Sequence, residues 1–201
     1  MNPVHRCGDR ALLADVEDVH GTVRALRALP PIGMVDVVPG AATVLLVHTA
    51  DADVAALRRH LASIEPAPPP AGSVASVTIE AVYDGADLEE VGRLTGLTRD
   101  EVVARHTAAD YEVAFCGFSP GFAYLRGLDP ALVVPRLASP RTTVPAGSVA
   151  VADTWSAVYP RSSPGGWRLL GRTDATLWDV DRPRPALLEP GTRVRFVEVG
   201  R

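Results

Sequence analysis

Apolar residues in the opening third of the chain recur first at strand spacing and then at helical spacing, twice over. Val4–Cys7 and Ala11–Val16 are short apolar runs flanking Gly8-Asp9-Arg10, which has the composition of a hairpin turn. Val19, Val23, Leu26 and Leu29 then follow a helical period until Pro30-Pro31 stops it. Met34–Val38 and Thr43–His48 predict two more strands joined around Pro39-Gly40. Asp51 or Asp53 opens a second helix whose Val54, Leu57, Leu61 and Ile64 share one face. The order ββαββα predicts a two-layer α+β unit with both helices on one side of a sheet.

Glu65–Ser73 (EPAPPPAGS) interrupts this pattern. Consecutive prolines make a stiff, extended spacer with little hydrogen bonding of its own, so the expected domains are 1–70 and 71–201. Val77–Tyr83 alternates as a strand. Asp87 and Glu90 mark a helix start carrying Leu88, Val91 and Leu94, which ends near Gly96. Thr98 with Glu101 three residues on is a capping box, and that helix runs to about His106. From Tyr111 the helical period disappears. Short strands such as Tyr111–Phe115, Ser148–Ala152, Trp167–Gly171 and Arg193–Val199 alternate with Gly/Pro turns, the pattern of a β-barrel or a sandwich.

Composition narrows the chemistry. In 201 residues there are 20 basic side chains, all Arg, and the net charge is −4. Without Lys the chain can form neither a Schiff base nor a Lys-bearing phosphate loop. The arginines are interleaved with acids, which disfavours nucleic acid as a partner. Cys7 and Cys116 cannot supply a disulfide framework or a four-cysteine zinc site, and the five histidines lack ligand spacing, so no metal is expected. No apolar run reaches the roughly 20 residues of a membrane helix, and MNPVHRCGDR has no apolar signal core. The expected location is the cytoplasm.

Phe115–Arg172 holds three of the four Phe and two of the three Trp among dense Gly and Pro, and it concentrates the candidate chemistry. Gly117-Phe118-Ser119-Pro120-Gly121 matches the hydrolase nucleophile elbow in form only. Pro120 has no N–H for an oxyanion hole, and no His follows His106. Cys116, between Phe115 and Phe118, reads as a small buried hydrophobe. His106 ends its helix beside the aromatic region, either as an imidazole facing a pocket or as a cation favoured by the helix C-terminus. Arg136, Arg141 and Arg172 offer guanidinium forks to an anionic ligand, with backbone N–H groups near Gly147 and Gly165-Gly166 as further donors.

GFSPGFAYL (117–125), PR at 135–136, PRTTVPAGSVAVA (140–152), YP at 159–160 and SPGGWRLLGRT (163–173) resemble the KipI/PxpB family, also called allophanate hydrolase subunit 1 or the carboxyltransferase C/D group. The similarity extends to GDRALL (8–13), DVVPG (36–40) and His106-x4-Tyr111. It implies a small α+β domain followed by a cyclophilin-like β-barrel. It also implies work in a complex with a larger PxpC/KipA-type subunit and a PxpA-type subunit, which converts 5-oxo-L-proline, ATP and water into L-glutamate, ADP and phosphate. Other relatives inhibit a histidine kinase or belong to urea and allophanate carboxyltransferases. His106, Tyr159 and the six residues that follow match family motif positions expected to line the barrel cleft; among them His106 and Tyr159 are the candidate catalytic residues, for proton transfer. Arg136, Arg141, Arg172, Tyr124, Ser148 and Trp167 are the candidates for binding a small anionic substrate.

Overall fold

The computed structural model describes residues 2–69 and 75–200, so the expected spacer Glu65–Ser73 lies partly outside the described residues. The chain divides into two compact units, Met1–Ser73 and Val74–Arg201.

In the first unit, β1 (Val4–Arg6), β2 (Ala11–Asp15), β3 (Met34–Pro39) and β4 (Thr43–His48) form an antiparallel sheet in the order β1-β2-β4-β3. Helices α1 (Val19–Ala28) and α2 (Val54–Ser63) supply Val23, Leu26, Leu57 and Leu61 to a core shared with Leu12, Val37, Val44 and Leu46 of the sheet. The ββαββα reading therefore holds. Of the two candidate caps, Asp53 serves α2: its Oδ1 accepts from Ala56 N–H at 2.9 Å, as Asp18 does from Gly21 N–H at 2.8 Å for α1. The start of the proline spacer is less free than its composition suggests. Arg24 donates to the carbonyls of Ala67 and Pro68 at 2.8 and 3.1 Å, and Ala67 N–H bonds the Gly21 carbonyl at 3.0 Å.

The second unit is built on β5 (Ser76–Ala81), β6 (Tyr111–Cys116), β7 (Ala123–Arg126), β8 (Arg141–Val144), β9 (Ser148–Ala152), β10 (Trp155–Val158), β11 (Ser163–Gly165), β12 (Arg168–Arg172) and β13 (Arg193–Glu198). Seven of these form one sheet in the order β12-β9-β10-β7-β6-β13-β5, while β8 and β11 pair as a separate ribbon. The two ends of the large sheet meet. Val82, just past β5, exchanges both backbone hydrogen bonds with Arg172 at 2.9 Å, and Gly85 N–H reaches the Leu170 carbonyl at 3.0 Å. Such close approach requires glycine: a Cβ on Gly85 would collide with the Leu169 carbonyl, and one on Gly171 with that of Val82. Of the two all-β possibilities, the barrel is the one formed.

Helices α3 (Leu88–Thr95) and α4 (Arg99–Ala108) send Val91, Val102 and Val103 into the barrel core, alongside Ile79, Val113, Leu125, Val149, Val158 and Phe196. The Thr98–Glu101 capping box is complete. Strand β9 is buried on both faces. Val149 and Val151 point into the barrel, whereas Ala150 and Ala152 face a second core of Phe122, Val144, Ala157, Tyr159, Trp167 and Leu169. That outer core, covered in part by the β8–β11 ribbon, carries the candidate site.

Candidate functional site

The outer face begins with the hairpin between β6 and β7. Gly117 N–H bonds the Phe122 carbonyl at 3.2 Å and Phe122 N–H bonds that of Ser119 at 3.0 Å, a turn that places Phe118 at φ 65° and leaves it exposed. The Gly-x-Ser-x-Gly match is thus a turn between antiparallel strands rather than a strand-to-helix elbow. Beyond it, Phe122 and Tyr124 alternate outward. Phe115 stacks on Tyr124 with centroids 4.3 Å apart, and Trp155 and Trp167 meet the Tyr124 ring edge-on at 6.0 and 5.6 Å. Tyr159 and Trp167 each meet Phe122 edge-on, at 5.3 and 5.6 Å. These offsets are the favoured aromatic geometries and make a stiff floor.

Two arginines flank that floor. Arg136 lies over the Trp167 ring, its Cζ 5.8 Å from the centroid, and its Nε is 3.4 Å from Asp153. The loop carrying it is fastened on both sides: Arg168 Nε donates to the Pro135 carbonyl at 3.2 Å, and Leu137 N–H to that of Gly166 at 2.7 Å. Arg141 opens β8 opposite Gly165 of β11. Its Nη2 is 2.6 Å from Asp87 Oδ1, and its Nη1 is buried with no partner.

Tyr159 is close enough to feel the charge of both. Burial pushes its phenol above the ordinary tyrosine range, while its hydrogen bond with the Trp167 backbone and the nearby charges of Arg136 and Arg141 pull the other way. Gly165 is required here, because a Cβ would strike the Tyr159 hydroxyl. The result is a neutral phenol beside two guanidinium groups in a largely buried aromatic cluster. This set of groups can bind a planar anion and offer it a hydrogen bond.

Five of the eight residues singled out in the sequence, Tyr124, Arg136, Arg141, Tyr159 and Trp167, are brought together here. The other three are not. His106 is fully buried inside the barrel, where Tyr83 Oη and Ser156 Oγ occupy its two ring nitrogens at 2.7 and 2.9 Å. Burial pushes its pKa down to about 3, so it is neither a cation at a helix end nor open to a cleft. Ser156 and Tyr159 point to opposite faces of the sheet, so the two expected catalytic side chains are separated by it. Ser148 spends its hydroxyl on the Pro145 carbonyl at 2.8 Å. Arg172 lies at the barrel seam, 3.2 Å from Asp84, lining a groove of about 370 Å³ with Thr78, Glu80, Thr173 and Asp174.

Sequence reasoning missed Asp87, Arg168 and the outward ring of Trp155. Asp87 sits at the N-cap of α3, as its composition suggested, yet makes no side-chain cap bond; its carboxylate instead accepts from Leu169 N–H at 2.7 Å and from Arg141. No local signal distinguishes that role from capping. Cys116 matches its reading: its Sγ faces the Leu188 carbonyl at 3.5 Å, and burial pushes the thiol up to about 11. Among the described residues, no three His, Cys, Asp or Glu side chains form a group able to hold a metal ion. No helix among them is long and apolar enough to cross a membrane.

The B subunit of 5-oxoprolinase from Escherichia coli O157:H7 is 47% identical over 124 residues, covering 60% of this chain and 57% of that protein. The chain thus spans little more than half the length of that curated relative. The crystal structure of TTHA0988 superposes with a TM-score of 0.82 at 36% identity, covering 96% of this chain and 40% of that one. The urea amidolyase of K. lactis shares the fold, with a TM-score of 0.79 at 18% identity over 98% of this chain and 15% of that one. The family described as carboxyltransferase domain, subdomain C and D, matches residues 3–188. The chain belongs to this family, the KipI/PxpB group.

Proposed function

We propose that this chain acts as the B component of an ATP-dependent 5-oxoprolinase assembly, with its outer-face cluster as its share of the 5-oxo-L-proline site. The observation that carries the reading is that the charges of both Arg136 and Arg141 act on a buried, neutral Tyr159 beside a cluster of aromatic rings. A five-membered lactam bearing a carboxylate matches that set. The ring lies on the aromatic surface, the carboxylate meets a guanidinium, and the phenol donates to the lactam carbonyl oxygen. Because its pKa is raised, Tyr159 serves as a donor near neutral pH and not as a base. His106, neutral and closed off in the barrel, takes no part in proton transfer.

The lactam amide is unreactive until activated, and ATP supplies that activation in the overall reaction. This chain has no Lys and no phosphate loop, so nucleotide chemistry falls to another subunit, of PxpC/KipA or PxpA type. The test is ATP-dependent glutamate release by the co-purified subunits. An assembly retaining full activity without this chain would remove the proposal, and Tyr159→Phe within the complete assembly should lower the rate.

A further inference from the structure

Arg141 is held in an unusual way for a surface-facing arginine. Asp87, 4% exposed, receives Arg141 Nη2 on Oδ1 at 2.6 Å and Leu169 N–H on Oδ2 at 2.7 Å. The Asp87 backbone is fixed as well, since its N–H donates to the Leu169 carbonyl at 3.0 Å. One carboxylate oxygen and the backbone N–H are therefore tied to Leu169 at the barrel seam while the other oxygen holds Arg141, and the guanidinium cannot swing without breaking an ion pair whose carboxylate is buried. An arginine with a purely structural role in such a place would have its remaining nitrogens paired. Here Nη1 is buried and unpartnered, and Ser163 Oγ in the same β8–β11 ribbon is buried and unpartnered too.

We propose that Asp87 is the positioning residue of this site: it clamps one nitrogen of Arg141 and leaves the other without a protein partner, as the group that pairs with the carboxylate of the ligand. The proposal rests on the reading of the outer cluster as a 5-oxoproline site. It makes the carboxylate, rather than the lactam ring, the group that Arg141 reads. Two separate N–H edges on one planar fork allow this division, which an ammonium cannot reproduce.

The test is equilibrium binding of 5-oxo-L-proline, without ATP, to the assembly containing the full chain, with 2-pyrrolidinone as the ring lacking a carboxylate. Asp87→Asn keeps an acceptor for Leu169 N–H and removes the charge that holds Arg141. It is expected to weaken 5-oxoproline binding about tenfold and leave any 2-pyrrolidinone binding unchanged. Arg141→Lys is expected to weaken it similarly, and adding Asp87→Asn to Arg141→Lys should weaken it no further, because the carboxylate acts through the guanidinium. Thermal melting of each variant reports the fold separately. If Asp87→Asn lowers the melting temperature but leaves the affinity intact, or if the two effects simply add, Asp87 is only structural and the proposal is overturned while the site reading stands. If the unaltered assembly binds 5-oxoproline no better than 2-pyrrolidinone, both fall together.

Discussion

Two polar clusters lie on opposite sides of the barrel wall, and they are built on opposite principles. Inside, His106 is bonded at both nitrogens by Tyr83 and Ser156, its backbone carbonyl accepts from Tyr111 Oη at 3.1 Å, and Phe196 packs on its ring with centroids 4.7 Å apart. The imidazole has no bonding capacity left. Outside, Arg141 Nη1 and Ser163 Oγ are buried with nothing to bond, and Tyr159 feels two like-signed guanidinium charges. A buried polar network that satisfies every member contributes to a unique fold; one left incomplete is poised for a ligand. A tyrosine, a serine and a cationic or titratable partner occur on both faces, so residue type alone does not tell the two apart.

The largest expected effect lies on the inner face. His106→Ala opens a cavity, strands the Tyr83 hydroxyl in the core and leaves Ser156 Oγ only the Ala150 carbonyl at 3.4 Å, which should cost about 3–5 kcal/mol of stability. Urea unfolding of the chain measures it, and the assembly's turnover per folded molecule should not change. Tyr159→Phe is the converse. The ring packing against Phe122 survives, so stability should fall by only about 1–3 kcal/mol as the Trp167 backbone group loses its partner, while turnover drops roughly a hundredfold with the donor gone. A Tyr159→Phe assembly with undiminished turnover would dissolve the distinction between the faces.

Acid sharpens the same contrast. His106 titrates near 3 in the folded state against an ordinary value of 6.5, so below about pH 6.5 the unfolded chain binds a proton that the native one refuses. The stability tied to the neutral imidazole is therefore complete above pH 6.5 and is lost as the pH falls toward 3, at roughly 1.4 kcal/mol per pH unit. The measurement is the slope of unfolding free energy between pH 4.5 and 6.5, with the slope of His106→Gln subtracted. A difference near zero would mean that the ring is reached by solvent.

Local signals in the sequence are enough for the helices. The Thr98–Glu101 box and the ββαββα order depend on residues within a turn or a strand of each other, and both appear as read. The clusters depend on distant residues. His106 meets Tyr83 and Ser156 across 23 and 50 residues, and Asp87 meets Arg141 and Leu169 across 54 and 82. Gly and Pro mark where strands end but not which strands become neighbours, so nothing local separates an Asp that caps α3 from one that clamps an arginine. Family motifs supply the right region for Tyr124, Tyr159, Trp167, Arg136 and Arg141. They do not supply the face of the sheet, which is why the same motifs also pick out His106, Ser148 and Arg172, residues that do not join the cluster.

The smallest expected effect concerns Asp153, an exposed carboxylate beside an outer-face arginine. It sits 3.4 Å from Arg136 Nε, with both side chains more than half exposed, and it adopts φ 51°. Asn tolerates that left-handed conformation, so Asp153→Asn removes the charge without straining the backbone. An exposed pair of this kind contributes about 0–1 kcal/mol, and stability should barely move. Ligand affinity should rise instead, by about twofold to fivefold at low salt, because Arg136 no longer shares its charge with a neighbouring carboxylate. The gain should shrink at 1 M salt, where screening acts within roughly 3 Å. Titrating 5-oxo-L-proline at both salt concentrations checks it. A lower affinity in Asp153→Asn would make Asp153 an orienting partner of Arg136, so that the outer face would then contain two carboxylate-held arginines rather than one.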